Sequence, residues 1–266
     1  AAWKRRIGMD LETVRTLLDR ADVEAGLRRQ FSAEMVAIDA ATRALPGMSL
    51  EEFRGIFPFN DVHARVYAVL GALRAAQGRP PLVAWTAEPW EYIAPTVAPG
   101  PGGAEVRIAA MKGEMRAGAL NLTNCTDTAL NLHLAFQEIP GAPKPKYVTV
   151  HQVEWTDTRE GLPVAAALPV VTPGKGGYGV SLPAGMTRQV WFSFKPEALA
   201  PGTHRGSVLV TAGREISLSV PIVLRVFDVE FPTAPRLHIG GWDYTNGTLY
   251  GVTAANRDAL VEHLQE

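Results

Sequence analysis

Few residues in this chain have the types and spacing that chemistry needs. The sharpest group is Trp242, Asp243 and Tyr244, in the stretch Gly241-Trp242-Asp243-Tyr244-Thr245-Asn246. A Trp and a Tyr can stack on the apolar face of a sugar ring, and an Asp can accept hydrogen bonds from hydroxyls. The alternative use is structural, with Trp242 packed and Asp243 supporting an Asx-turn. Glu154, Asp157 and Glu160 cluster around Trp155 and Arg159. Paired carboxylates can act as acid and base on a glycosidic bond at separations of roughly 5–10 Å, but this spacing fits a polar turn between strands better. His133 and His151 could share a face, and His204 stands apart. No His-x-His spacing occurs, and a zinc site is not expected.

Other motifs point away from catalysis. No Gly-x-Ser-x-Gly elbow is present. Cys125 follows Asn124 in a turn with no His nearby in sequence, as a structural thiol would. Gly174-Lys175-Gly176-Gly177-Tyr178-Gly179 carries a Lys but matches no phosphate loop and precedes no helix, so it predicts a hairpin loop. The sequons at Asn121, Asn124 and Asn246 matter only in a host that glycosylates secreted chains. These residues assign no catalytic group, metal or cofactor.

The periodicity predicts the elements that would hold such groups. Leu11, Val14, Leu17, Leu18 and Ala21 lie at helical spacing behind Asp10, a candidate N-cap. Phe31, Met35, Ile38 and Leu45 suggest a second helix or a continuation, ended by Pro46-Gly47. Ser49 and Glu52 form a capping-box pattern. Val62, Val66, Val69, Leu70 and Leu73 make one stripe that stops at Gly78 and Pro80-Pro81, and intramolecular core is the better reading of it than a partner surface. Residues 1–81 thus read as a helical hairpin region. Residues 82–103, with Trp85, Trp90 and Tyr92 among prolines, read as a stiff connector. Its tryptophans could form a sugar platform but fit packing between helices and sandwich better. Residues 104–231 alternate with period two, as in Leu130, Leu132, Leu134 and Phe136, and predict about eight or nine short strands of an antiparallel β-sandwich. A switch of apolar parity near Gly118 predicts a β-bulge. Residues 232–266 read as a strand, a loop and a helix opened by Thr253, a single βα unit. The fold class is therefore α+β.

The chain has 266 residues, a formal net charge of −1, 20% charged and 47% hydrophobic residues. That balance makes no case for nucleic acid or an anionic membrane surface. One cysteine excludes an intrachain disulfide. No apolar run approaches the ~20 residues of a membrane span. Ala1-Ala2-Trp3-Lys4-Arg5-Arg6 has no apolar segment behind its basic residues, so no signal peptide is read there.

The stretch from Leu182 to Trp191, with Pro183-Ala184-Gly185, followed by Pro201-Gly202 and Gly206, resembles turns of Ig-like sandwiches that precede glycosidase barrels. Val226–Pro232 and His238–Tyr244 resemble the sandwich-to-barrel junction of bacterial glycoside-hydrolase-like proteins, around glycoside hydrolase family 123. The resemblance covers roughly residues 85–266. It implies that the βα unit begins a truncated (β/α)8 barrel whose active-site face would carry Trp242, Asp243 and Tyr244. It also implies a carbohydrate partner and a periplasmic or secreted location. The adjacent Asp–Glu pair used by that family is absent, since no Asp-Glu dipeptide occurs in the chain. The expectation is a non-catalytic accessory portion of a glycoside hydrolase. The alternative is a stand-alone carbohydrate- or protein-binding sandwich module, and an active hydrolase is the least favoured reading.

Overall fold

A computed structural model describes residues 2–47, 54–88, 91–100, 103–232 and 252–265. Three helices open the chain: α1 (Ala2–Arg20), α2 (Ala25–Ala44) and α3 (Asp61–Ala76). Each contacts the other two, so the region is a three-helix bundle rather than the hairpin the sequence suggested. Ile7, Val14, Met35, Ile38, Val66 and Leu70 fill its core. The α3 stripe read from the sequence faces that core. Asn60 caps α3, its Oδ1 accepting the His63 N–H at 3.0 Å. At the other end Gly78, with φ +75°, closes a Schellman turn. There Arg79 N–H bonds the Arg74 carbonyl and Gly78 N–H bonds that of Ala75.

Twelve strands follow among the described residues: β1 (Leu82–Trp85), β2 (Val106–Lys112), β3 (Arg116–Asn124), β4 (Leu130–Gln137), β5 (Val148–Gln152), β6 (Glu154–Thr156), β7 (Val164–Ala167), β8 (Pro173–Gly174), β9 (Gly177–Leu182), β10 (Thr187–Phe194), β11 (Gly202–Ala212) and β12 (Ile216–Glu230). They form a four-stranded sheet in the order β1-β3-β10-β5, a six-stranded sheet in the order β2-β12-β11-β4-β9-β8, and a two-stranded ribbon of β6 and β7. The two larger sheets bury Leu120, Leu122, Val190 and Phe192 of one against Leu134, Phe136, Val208 and Ile222 of the other. Phe136 meets Phe192 edge-on, with ring centroids 5.5 Å apart.

Four expectations are corrected. β1 lies inside the segment read as a connector and pairs with β3 from Leu82↔Asn124 to Trp85↔Asn121. Its four residues are too few for the alternation to stand out. β12 pairs with β2 in parallel, so the sandwich is not purely antiparallel. There is no bulge at Gly118, because β3 pairs with β10 in unbroken register from Arg116↔Phe194 to Thr123↔Thr187. Parity fails there for another reason: β3 is buried on both faces from Gly118 to Asn124. Its inner face meets the second sheet, and its outer face lies under helices and loops. Asp10, finally, caps nothing: it sits in mid-α1 and is buried. The loop Gly174–Gly179 does form the expected hairpin, between β8 and β9.

The bundle meets the sandwich with little space between backbones. A Cβ on Gly71 of α3 would lie 1.9 Å from the Thr126 carbonyl oxygen, and one on Gly185 would lie 1.9 Å from that of Tyr67. Gly185 also has φ +59°. The Pro183-Ala184-Gly185 turn therefore needs glycine twice over, for conformation and for contact. Arg74 reinforces the seam. Its guanidinium donates to the carbonyls of Gly185, Thr96 and Val97 at 2.8, 2.9 and 2.8 Å. Burial holds its pKa down at about 10.

Gly71→Ala is expected to destabilise the protein by about 2–3 kcal/mol or to prevent folding, because rigid backbone has nowhere to shift. Gly179→Ala, with open space around it, is expected to stay within about 1 kcal/mol of the parent. Urea unfolding of both variants checks this.

Candidate functional site

The densest group of chemistry-bearing side chains lies where the bundle meets the sandwich. Arg6 and Asp10 are one turn apart on α1, and His63 and Tyr67 one turn apart on α3, so each pair shares a helix face. Asp10 accepts four hydrogen bonds. Its Oδ1 takes one from Arg6 Nη2 at 2.6 Å. Its Oδ2 takes three: from Arg6 Nε at 3.1 Å, His63 Nε2 at 2.8 Å and Tyr67 Oη at 3.0 Å. Arg6 Nη1 continues into the sandwich, donating to the Gly161 carbonyl at 2.7 Å and standing 3.5 Å from Asp157 Oδ1.

The protonation pattern follows from partners. The Phe59 N–H donates to His63 Nδ1 at 3.2 Å. That nitrogen must carry its lone pair, so the imidazole is neutral and its Nε2–H points at Asp10. The buried charges then match, one guanidinium to one carboxylate. Phe57, Phe59 and Tyr67 pack on the His63 ring at centroid distances of 5.2, 5.1 and 4.8 Å. His63 is 0% exposed and Asp10 3%. Burial first, then the Asp10 carboxylate and the hydrogen bond to it, push the Tyr67 phenol well above its ordinary pKa of 10.

This arrangement is closed to chemistry. A general acid or base needs a free lone pair or proton within reach of substrate, and each oxygen of Asp10 is occupied and sealed. Its edge alone approaches an opening: Asp157, with Trp3, Arg5, Phe59 and Arg159, lines a cleft of about 530 Å³. What the network can do is hold helices and sandwich together.

The sites suggested by the sequence fare differently. Trp242, Asp243 and Tyr244 lie outside the described residues, as do the strand read around Leu237–Gly240, Trp90 and the Ser49/Glu52 capping box. Near them the structure describes α4 (Arg257–Gln265), where Thr253 N–H donates to Asn256 Oδ1 and the Thr253 carbonyl accepts from Arg257 N–H. Glu154, Asp157 and Glu160 do not form a carboxylate pair: Asp157 turns to Arg6, and Glu160 is exposed. His133 on β4 and His151 on β5 belong to different sheets and share no face. No metal-holding group of His, Cys, Asp and Glu occurs among the described residues. Burial raises the Cys125 thiol pKa, as for an inert structural cysteine. Trp85 is buried, its Nε1 donating to Thr123 Oγ1 at 2.9 Å, so it packs rather than displays a platform. The Asp10 network went unread, although its signal was present. A carboxylate and a guanidinium stand within the apolar stripe of Trp3, Ile7, Leu11 and Val14.

No protein-family model matches the sequence, and no curated protein does. Several solved structures are similar over part of the chain. A family 123 glycoside hydrolase from Clostridium perfringens matches at 14% identity and a TM-score of 0.35, over 48% of this chain and 24% of that one. A PapD-like domain of human CEP192 matches at 14% identity and a TM-score of 0.28, over 54% of this chain and 99% of that one. The class 5 fimbriae chaperone CfaA matches at 12% identity and a TM-score of 0.25, over 47% and 54%. The chain thus spans about a quarter of the length of that hydrolase. What defines the class of this protein is its own strand pairing: an α+β protein in which a three-helix bundle is joined to a β-sandwich. No described helix is long and apolar enough to cross a membrane.

Asp10→Asn is expected to cost about 3 kcal/mol, because it removes the close counter-charge of the buried Arg6 cation and leaves it only the longer pairing with Asp157 at 3.5 Å. Chemical denaturation measures it. The Tyr67 prediction concerns alkaline pH. A phenol whose pKa is raised in the folded state keeps its proton after the unfolded chain has lost it. Its contribution is therefore complete below pH 10 and lost as pH rises above that value. The stability of the parent is expected to fall more steeply above pH 10 than that of Tyr67→Phe.

Proposed function

We propose that this chain is a non-catalytic support module of a carbohydrate-active protein, with bundle and sandwich acting as one rigid body that carries the segment following Phe231-Pro232. The observation that supports this most directly is the Arg6–Asp10–His63–Tyr67 network. It spends the one buried carboxylate of the described helices, Asp10, on joining two layers and leaves it no catalytic freedom. The Arg74 clamp and the Gly71–Gly185 contact join the same two layers. A body that resists bending at this seam is what a mounting element requires.

The carbohydrate half of the reading comes from the sequence. The Pro183-Ala184-Gly185 turn and the junction from Val226 to Tyr244 resemble the sandwich-to-barrel passage of glycoside-hydrolase-like proteins. In that reading residues 232–266 are the first βα unit of a barrel, Trp242, Asp243 and Tyr244 face its mouth, and the whole protein works outside the cytoplasm. The helical, connector, sandwich and βα regions are then successive parts of one assembly.

The module reading expects a version ending at Pro232 to unfold in one transition, with helical and sheet signals lost together at the midpoint of the full chain. Separate melting of helices and sandwich counts against it. The full chain is expected not to turn over aryl-glycosides, and turnover abolished by Asp243→Asn would replace the support role with a catalytic one.

A further inference from the structure

The strand that leads out of the sandwich carries an apolar row without cover among the described residues. Phe227, Val229 and Phe231 stand at alternate positions from the end of β12 into the chain that leaves it, and they are 43%, 55% and 45% exposed. Asp228 and Glu230 lie between them and are exposed as well. We propose that this row is the docking surface of the stretch that follows it in the chain, residues 233–251. This docking rests on the support-module reading above and gives it the surface on which the next part of the protein is mounted.

A strand with one face on a core and one in water reads apolar inward and polar outward. The first part of β12 obeys this. Val220, Ile222, Leu224 and Val226 are buried in the sandwich, and the outward positions begin with Ser217 and Ser219, both exposed. Toward the exit the outward positions turn apolar. Val223 is half-buried, and beyond Arg225 come Phe227 and Val229, with the Arg225 guanidinium 5.5 Å from the Phe227 ring centre. The core ends at Val226, which is also the last residue paired with β11. Past it β12 keeps its pairing with β2 through Met111 and Lys112, and the register slips between Phe227 and Glu230. Such a bulge bends a strand. The row thus begins where the sandwich core stops, so it does not serve that core. Apolar residues alternating with acidic ones mark a strand that lays one face against a further layer.

Three features name the occupant. The first is continuity: the row runs to Phe231, and Pro232 alone separates it from residues 233–251. A segment tethered this closely meets the row at an effective concentration on the order of millimolar, which a separate molecule rarely matches. The second is pattern. Leu237 and Ile239 repeat the apolar alternation around His238, and Trp242, Tyr244 and Leu249 follow. At about 3.3 Å per residue, the run from Arg236 to Gly240 matches the length of the row from Phe227 to Phe231. The third is charge: Arg236 adjoins Leu237, and the row it would face is flanked by the exposed Glu230.

The test uses the full chain and thiol labelling. The single cysteine, Cys125, is fully buried, so an introduced thiol is read against a silent background. Val229→Cys places a thiol within the row, and Asp228→Cys places one beside it on the same strand. Each labelling rate with a water-soluble aromatic disulfide is divided by the rate in the unfolded chain. The Val229→Cys thiol is expected to react about tenfold more slowly than the Asp228→Cys thiol, as a site that labels only through local opening does. Adding Leu237→Ser with Ile239→Ser to Val229→Cys is expected to remove the difference. Val229 and Asp228 are exposed, so both single variants are expected to keep the parent melting midpoint, which separates protection from misfolding. Equal rates in the two single variants overturn the proposal. So does protection that disappears on dilution, which assigns the row to a second copy, or protection that survives Leu237→Ser with Ile239→Ser. Equal rates in a chain whose helices and sandwich melt together leave the support role standing. Separate melting with the row still protected removes that role and keeps the docking.

Discussion

Asp10 is a carboxylate placed where a carboxylate is costly. An ionised group that is 3% exposed survives in a folded protein only if its neighbours replace the water it lost. Here the replacements come from two helices, one of which reaches on into the sandwich. Arg6 belongs to the same helix, His63 and Tyr67 to another, and Arg6 in turn reaches Gly161 in the sandwich. The neutral state of His63, imposed by the Phe59 N–H, keeps the charge balance at one to one. The two helices must arrive together or the charge is stranded, and the Arg6 bond to the Gly161 carbonyl ties that pairing to the sandwich.

The other contacts along the seam follow from this constraint. Bringing α3 close enough for His63 and Tyr67 to reach Asp10 sets its next turns against the loops at Thr126 and Gly185, where side chains would collide. Glycine at 71 and 185 removes the collision. Arg74, one turn beyond Gly71, then satisfies three carbonyls of the turn and the connector that the close approach has taken from water. A guanidinium suits this role because its forked donors can reach several acceptors at once.

Covering the outer face of the four-stranded sheet also changes what that sheet can do. Where the cover is complete, Trp85, Met186 and Tyr67 pack into a second apolar cluster. Where it stops, between Tyr92 and β7, the same face opens into a cleft lined by Trp155, Gln189 and Trp191. One sheet surface thus serves as an internal joint over part of its area and as an open cleft beside it.

Much of this architecture could be read from the chain. Alternation in β4 and in β12 marked half-buried strands, because a strand with one face on the core must alternate. The α3 stripe and its Gly78 stop were legible because helix period and glycine's left-handed conformation are local properties. The glycines at 174, 176 and 177 announced their hairpin for the same reason. What the chain could not announce by itself depended on contacts between distant residues. Doubly buried β3 loses its alternation and mimics a bulge, since a second covering layer is not encoded in the strand that it covers. Asp10 looks like a cap until His63, 53 residues away, is brought within 2.8 Å. The cleft joins Tyr92 to Gln189 across almost a hundred residues. Local order was thus set by the periodicity of neighbouring side chains. The joint and the cleft were decided only by tertiary packing, because their energetics come from desolvation, which no residue undergoes until its partners have closed over it.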